Sequence, residues 1–323
     1  MDERYDVVVI GGGVAGLSGA LALARARRSV LVIDSGDPRN APAGQVHNSL
    51  GRDGVPPGEL LAAGRAEVAG YAGEVVSGRV TSARRQEDGT DITVVLDDGQ
   101  EVRARRLLLA TGLIDELPDV PGVRDRWGRD VLHCPYCHGW EVRDQAIGVL
   151  GGGPMAVHQA LMWRQWSADV TLFRHTGPAP SPEAAEQLAA RGIRVVDGEV
   201  AGLAVTGDAL SGVRLTSGEV VARQAVVVAP LFAARDDLPA GLGLELVDLE
   251  TNGHVIGRHV AADPTGASAV PGVWVAGNVA DPRAQVISAA AAGLNAGAMI
   301  NADLIAEDTA LAVAGARSLR GAA

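Results

Sequence analysis

Cys134 and Cys137 are the whole thiol content of this 323-residue chain, and only Pro135 and Tyr136 separate them. A C-x-x-C pair does thiol–disulfide chemistry or supplies half of a metal site. No second cysteine pair completes a four-thiolate site, so a metal would need His133 or His138 plus a distant acid. The redox reading is therefore the stronger one, and no metal is expected. Pro135 suits the first turn of a helix, whose free N–H groups stabilise a thiolate. That placement makes Cys134 the better exposed, attacking thiol and sets Cys137 one turn further in. His138 follows at once, and an imidazole titrates near the pH at which exchange needs a proton moved. Glu141 either orients His138 or faces solvent. Trp140 either covers the disulfide or, the stronger reading, is a buried hydrophobic anchor.

Such a pair needs a frame, and the sequence supplies the same frame twice. Tyr5 to Ile10 is a continuous apolar strand that runs into Gly11-x-Gly13-x-x-Gly16 and an alanine-rich helix; Val30 to Ile33 then ends at Asp34. Strand, glycine turn, helix, strand and acid in this register form a dinucleotide fingerprint. The glycines admit a pyrophosphate to the helix N-terminus, and the acid accepts from a ribose. About 140 residues on, Gln145 to Leu150 lead into Gly151-x-Gly153-x-x-Ala156, a helix, and Val170 to Phe173. Here Arg174 stands where Asp34 stood. An arginine at that place leans towards NADP, so Gly151, Gly153, Ala156 and Arg174 form a candidate NADP site. Only His175 accompanies it before Thr176 to Ser181, which is thin provision for a dianionic phosphate. The alternative is a repeat that keeps the fold without the nucleotide.

The fold expected is α/β, with two Rossmann-like dinucleotide-binding domains. Residues 1–117 and 244–323 form one discontinuous domain, and 118–243 form the second, which carries the cysteine pair. The remaining chain supplies Pro57 to Gly70 as a helix, Gly73 to Gln86 and Asp91 to Leu96 as strands, and Val102 to Ala110 as a returning strand. Ala110-Thr111-Gly112 then comes near the first nucleotide. Asp236 to Gly243 reads as a return crossing, Gln285 to Asp303 as a helix and the residues after Ala314 as a tail. The loop from Gly36 places Gly44 and Gln45 beside a cofactor ring. His47 and Asn48 either reach that ring or the substrate, or anchor the loop.

A −11 net charge, from 28 Lys+Arg against 39 Asp+Glu, disfavours nucleic acid and anionic membrane as partners. No eighteen residues in a row are apolar, and acidic Asp2 and Glu3 stand where a targeting segment would be basic. A cytoplasmic protein, where thiols stay reduced, is expected.

These motifs, in this order, resemble the low-molecular-weight thioredoxin reductase family over nearly the full length. The matching pieces are Gly11-x-Gly13-x-x-Gly16, Ala110-Thr111-Gly112, Cys134-Pro135-Tyr136-Cys137, Gly151-x-Gly153-x-x-Ala156, and Gly277-Asn278 with Arg283 and Gln285. The resemblance implies FAD on the discontinuous domain, NADPH on the middle one, and a homodimer. It makes Cys137 the flavin-proximal thiol and Cys134 the interchange thiol. The set expected around FAD is Gly11, Gly13, Ala15, Gly16, Asp34, Ser35, Gly44, Gln45, Asn48, Val80, Ala110, Thr111, Gly112, Gly277, Asn278, Gln285 and Val286. Two positions depart from the family: His138 replaces an aspartate, and Arg174-His175-Thr176 replaces a histidine–arginine–arginine run. Both departures resemble the FAD-dependent dithiol oxidases of the gliotoxin and holomycin type. By that resemblance the substrate is a small-molecule dithiol, dioxygen is the acceptor, and peroxide is the product. The alternative is NADPH-dependent reduction of thioredoxin or a similar disulfide. The loop from Ala41 to Gly54 and the region of Trp127 and Trp140 indicate only an apolar or mixed substrate surface.

Overall fold

The computed structural model describes residues 2–86, 89, 91–235, 237–251 and 253–321. In chain order the elements are β1 (Arg4–Ile10), α1 (Val14–Arg25), β2 (Val30–Asp34), α2 (Pro57–Gly70), β3 (Glu74–Ser77), β4 (Val80–Arg85), β5 (Ile92–Leu96), β6 (Glu101–Leu109) and β7 (Leu113–Glu116). The middle of the chain forms α3 (Val123–Arg126), β8 (Val131–Leu132), α4 (Pro135–His138), β9 (Ile147–Leu150), α5 (Gly153–Trp163), β10 (Val170–Phe173), α6 (Pro182–Ala190) and β11 (Arg194–Val196). Then follow β12 (Val200–Thr206), β13 (Ala209–Leu215), β14 (Val220–Ala222), β15 (Ala225–Val227), β16 (Leu231–Ala234), α7 (Asp237–Gly241), β17 (Leu246–Thr251), β18 (His254–Val260), β19 (Val273–Val275) and α8 (Val286–Gly321).

Two compact units result: Met1–Arg39 with Gly58–Ile114 and Phe232–Ala323, and Asn40–Pro57 with Asp115–Leu231. The expected boundary at 244 moves to 232, and the loop over 40–57, expected beside the first nucleotide, groups with the second unit. Its side chains bond to the segment around Cys134, as described below.

In the first unit a sheet runs β3-β2-β1-β6-β5-β4, with β19 also on β6. β1 lies parallel between β2 and β6, Ile10 facing Ile33 on one side and Leu109 on the other. Val8 and Ile10 enter one apolar core, Val7 and Val9 the opposite one. A strand buried on both faces reads as an unbroken apolar run, which is why β1 is visible in the sequence. The second core is closed by α1 and α8, and small residues set their approach. A Cβ on Gly293 would lie 1.9 Å from the Ala15 carbonyl oxygen, so the helices meet backbone to backbone.

α8 is the largest departure from expectation. It continues through the predicted tail to Gly321, because alanine, leucine and arginine favour helix even where nothing packs on them. By length and composition it is the one helix among the described residues long and apolar enough to cross a membrane. Its first part is anchored in protein, with Ala289, Ala296, Ile300 and Leu304 in the core, and Arg105 and Arg106 pairing with Asp303, Glu307 and Asp308. The predicted strand over 73–86 is two strands, broken at 78–79, and the β17–β18 hairpin was not foreseen. The return crossing is the short α7; Asp236, its expected first residue, lies outside the described residues.

The second unit repeats the plan. Its parallel sheet runs β11-β10-β9-β15-β8, with Leu150 facing Phe173 and Val149 facing Val227. A separate antiparallel sheet, β12-β13-β14, follows α6 and β11 in the chain.

Candidate active site

Cys134 is the N-cap of α4, in extended backbone (φ −94°, ψ 116°), with Pro135 as the first helical residue. The N–H groups of Cys137 and His138 both donate to the Cys134 carbonyl oxygen, each at 3.1 Å. Both cysteines are half-buried. The helix is one turn long, so the expected dipole is small. Pro135 has no N–H and two amides are already spent on Cys134 O, which leaves the Tyr136 amide of that turn for a thiolate.

His138 closes the turn and is half-buried. Burial holds its imidazole below the ordinary histidine value; the Glu141 carboxylate pulls the other way and His47 adds to the lowering. At neutral pH the ring is therefore uncharged and able to accept a proton. Glu141 engages His47 Nε2 at 3.4 Å, and Asp53 engages His47 Nδ1 at 3.4 Å. His133 Nδ1 lies 3.2 Å from the Val228 carbonyl oxygen. Trp140 is 66% exposed, its ring covered by the Arg143 guanidinium at 4.2 Å, which corrects the expectation of a buried anchor.

The glycine turn of the first repeat fits a dinucleotide. Gly11 (φ +106°) donates to Ile33 O at 2.8 Å, and a Cβ there would lie 2.3 Å from Ala110 O. A Cβ on Gly13, the N-cap of α1, would meet nothing within 4 Å, and no side chain caps that helix. Its first N–H groups are thus taken by no capping side chain, the arrangement that binds phosphate. Asp34 accepts from Gly12 N at 3.1 Å and from Arg65 at 2.9 Å. It borders a cavity of about 360 Å³ with Arg65, Ala66, Ala69, Val75, Val76 and Ser77. The buried Thr111 hydroxyl has no protein partner. Orphan donors, an acid and a cavity in one place are what FAD's pyrophosphate and adenosine need.

The second repeat keeps the backbone bond and, at Gly153, most of the room, a Cβ there meeting only Pro178 Cγ at 3.7 Å. Gly151 donates to Phe173 O at 2.9 Å, as Gly11 does to Ile33 O. Beside Gly152, however, lies its own chain: a Cβ there would be 2.4 Å from Gly177 Cα and 3.0 Å from Pro178 N. Pro154 removes one donor from the start of α5. Arg174 is paired through Nε with Asp197, and His175 Nδ1 accepts from Val200 N at 2.9 Å.

Residues 5–293 match the family described as pyridine nucleotide-disulphide oxidoreductase. The chain belongs to that family. Among relatives of this oxidoreductase, "Thioredoxin reductase tcpT" of Claviceps purpurea is 32% identical over 311 residues, covering 94% of this chain and 95% of the relative. "Thioredoxin reductase sirT" of Leptosphaeria maculans is 30% identical over 322 residues, covering 95% and 96%. The crystal structure of HlmI superposes with a TM-score of 0.90 at 48% identity, covering 99% of this chain and 98% of HlmI. An oxidoreductase from Agrobacterium tumefaciens gives 0.86 at 36% identity, covering 94% and 99%. The oxidoreductase therefore has the thioredoxin-reductase fold, is an FAD-dependent thiol–disulfide enzyme by family, and bears its cysteine pair in the expected turn.

Most of the residues expected at FAD gather in the first unit of the oxidoreductase. Gly277 lies against Ala15, where its Cβ would be 2.8 Å from that side chain, and Val286 opens α8 directly after Gln285. Ser35 follows β2, Val80 opens β4, and Gly112 takes φ +71°. Asn278 braces its own loop, donating to Ala284 O at 2.9 Å and accepting from Arg39 at 3.2 Å. Gly44, Gln45 and Asn48 fall instead in the second unit. Asn48 donates its side-chain amide to the Tyr136 carbonyl oxygen at 2.6 Å. Sequence reasoning missed Arg65, which sits on α2 where nothing marks it as Asp34's partner, and Asp53, whose role depends on the fold of its loop.

Proposed function

We propose that the enzyme is a dithiol oxidase that closes a disulfide within a small molecule, with dioxygen as acceptor. The observation that carries this reading is the turn Cys134-x-x-Cys137-His138, in which burial keeps His138 uncharged at neutral pH and so available to take up a proton. A substrate thiolate attacks Sγ of Cys134 in the Cys134–Cys137 disulfide. A mixed disulfide forms, the enzyme S–S bond breaks, and Cys137 leaves as a thiolate. His138 accepts the proton of the second substrate thiol. That thiolate attacks the substrate sulfur of the mixed disulfide, releasing the cyclic disulfide and the Cys134 thiolate. The substrate has lost two electrons and two protons, and the cysteine pair holds the electrons. FAD, held by the Gly11–Gly16 turn, Asp34 and the Thr111 region, supplies the oxidising equivalents that restore the disulfide, with hydrogen peroxide as the final reduced product.

Tyr136 within the turn and Trp140 just after it are exposed, which supports a substrate with apolar surface beside its thiols. The backbone of Gly177 packed beside Gly152, where the first repeat has the Asp34 carboxylate, supports a second repeat that serves as scaffold rather than as an NADPH site. By resemblance the reading extends to a homodimer acting on a small-molecule dithiol; the thiol pair and the charge balance support a cytoplasmic setting.

Anaerobic rapid mixing tests it. Flavin bleaching by a dithiol alone, with peroxide released on admitting air, is the expected result. Prompt bleaching by NADPH would overturn it in favour of an NADPH-dependent disulfide reductase. Cys137→Ser abolishes dithiol turnover if the pair works as described.

A further inference from the structure

The segment over 40–57 is tied to itself and to the redox turn. Val46 and Val55 form a bridge, with Val46 N donating to Val55 O at 2.9 Å and Gly54 N to Val46 O at 2.8 Å. Asp53 accepts from the Asn48 amide N–H at 2.8 Å and meets His47 Nδ1 at 3.4 Å. From this small closed loop two side chains cross to residues 134–141: Asn48 to the Tyr136 carbonyl and His47 to Glu141. Asn48 sits at φ +57°, in the left-handed region that asparagine tolerates and most residues do not.

The peptide that Asn48 grips is the one joining Tyr136 to Cys137. Its N–H donates to Cys134 O at 3.1 Å, and its C=O accepts from Asn48 Nδ2 at 2.6 Å. Both ends of this peptide plane are therefore fixed, and the plane carries the Cα of Cys137. We propose that Asn48 is a positioning residue for the redox pair, fixing Cys137 relative to Cys134 through the Tyr136 carbonyl, with His47 and Asp53 holding it in place. The proposal rests on the reading of Cys134 and Cys137 as the working pair. It gives Asn48 a task distinct from the cofactor contact that the family resemblance implies.

The test compares flavin-loaded Asn48→Asp and Asn48→Gly with the parent enzyme, using dithiothreitol as the dithiol. Both replacements tolerate the left-handed backbone, so folding is not at issue. Asn48→Asp presents an acceptor to an acceptor, and kcat is expected to fall at least about tenfold with KM held within about twofold. As pH falls towards the carboxylic acid range near 4, the introduced carboxyl gains an O–H that donates to Tyr136 O, so the deficit relative to the parent narrows. Asn48→Gly loses the grip without repulsion, so its loss is smaller and does not narrow on acidification. The disulfide fraction of Cys134–Cys137 in dithiothreitol redox buffers, read by alkylation and mass spectrometry, shifts in both variants.

Unchanged kcat and unchanged disulfide fraction in both variants would overturn the proposal. So would loss of bound flavin, which would return Asn48 to the cofactor. Persistent turnover in Cys137→Ser, measured alongside, would instead overturn the function reading, because the disulfide equilibrium of the Asn48 variants is read without turnover.

Discussion

The two glycine turns of this chain share a backbone and differ in what stands beside the middle glycine. In the first repeat the neighbour is the Asp34 carboxylate, braced by Arg65 and facing a cavity; in the second it is the backbone of Gly177 and Pro178. The shared part is the part that folds. Gly11 and Gly151 both bond to the end of the second strand of their repeat, Ile33 and Phe173, and both sheets place that strand next to the first. The divergent part is the part that binds. On the proposed reading, a duplicated nucleotide fold keeps its architecture while one copy serves mainly to hold a redox turn, since parallel-sheet burial and ligand recognition rest on different residues.

The largest effect expected from this contrast is at the glycine turns themselves. Gly11→Ala puts a methyl 2.3 Å from Ala110 O at φ +106°, where the turn must move, and the purified protein is expected to lose nearly all its flavin absorbance. Gly151→Ala is strained at φ +142°, costing about 1–3 kcal/mol, but its methyl meets nothing closer than Ala156 Cβ at 3.6 Å. It should fold less stably and remain yellow. Equal flavin loss in both variants would erase the distinction between the copies.

His138 comes next, because it asks what the second unit contributes if not a nucleotide. His138→Gln is expected to lower kcat by about 10²–10⁴-fold, the usual worth of a positioned acid–base. The parent rate should rise with pH as the neutral imidazole forms. Burial lowers the folded value, so that limb has its midpoint below about 6.5 and activity is lost only on acidification past it. A midpoint above the ordinary histidine value would mean that Glu141, rather than burial, governs the ring.

Asp34→Asn is a milder probe of the first repeat. It keeps a Gly12 contact but weakens the acceptor braced by Arg65, and FAD affinity is expected to fall by about tenfold, one charge-assisted hydrogen bond. Flavin release on dilution, followed by fluorescence, measures it.

How much of this was legible follows the same division. β1, β2, β9 and β10 stand out because both faces are buried and their residues are almost all apolar, Asp6, Gly148 and Thr171 being the interior exceptions, and the helix expected from Pro57 to Gly70 matches α2 to the residue. The β17–β18 hairpin was not legible: Leu246–Thr251 has no fully buried residue and no clean alternation. α8 was read short because its last turns are exposed and alanine-rich, giving no apolar stripe to follow. At the site, Cys134, Cys137 and His138 declare themselves by type and spacing. Asn48 does not, since its partner lies 88 residues away and is a carbonyl, which every residue carries.

The smallest effect is expected at Arg174, and it tests the second repeat most directly. Its pairing with Asp197 does not by itself disqualify it as a phosphate ligand. The aspartate is largely exposed, and such an ion pair contributes about 0–1 kcal/mol, which an arriving dianion would easily displace. What stands against binding is the backbone of Gly177 beside Gly152, which no rotamer change removes. Arg174→Ala should therefore alter dithiol-dependent peroxide release by less than about twofold and lower Tm by no more than about 2–4 °C. Parent and variant should be equally indifferent to NADPH in anaerobic mixing. If the parent is reduced by NADPH and Arg174→Ala is not, the loop at Gly177 opens for the nucleotide, and the second repeat is a working site like the first.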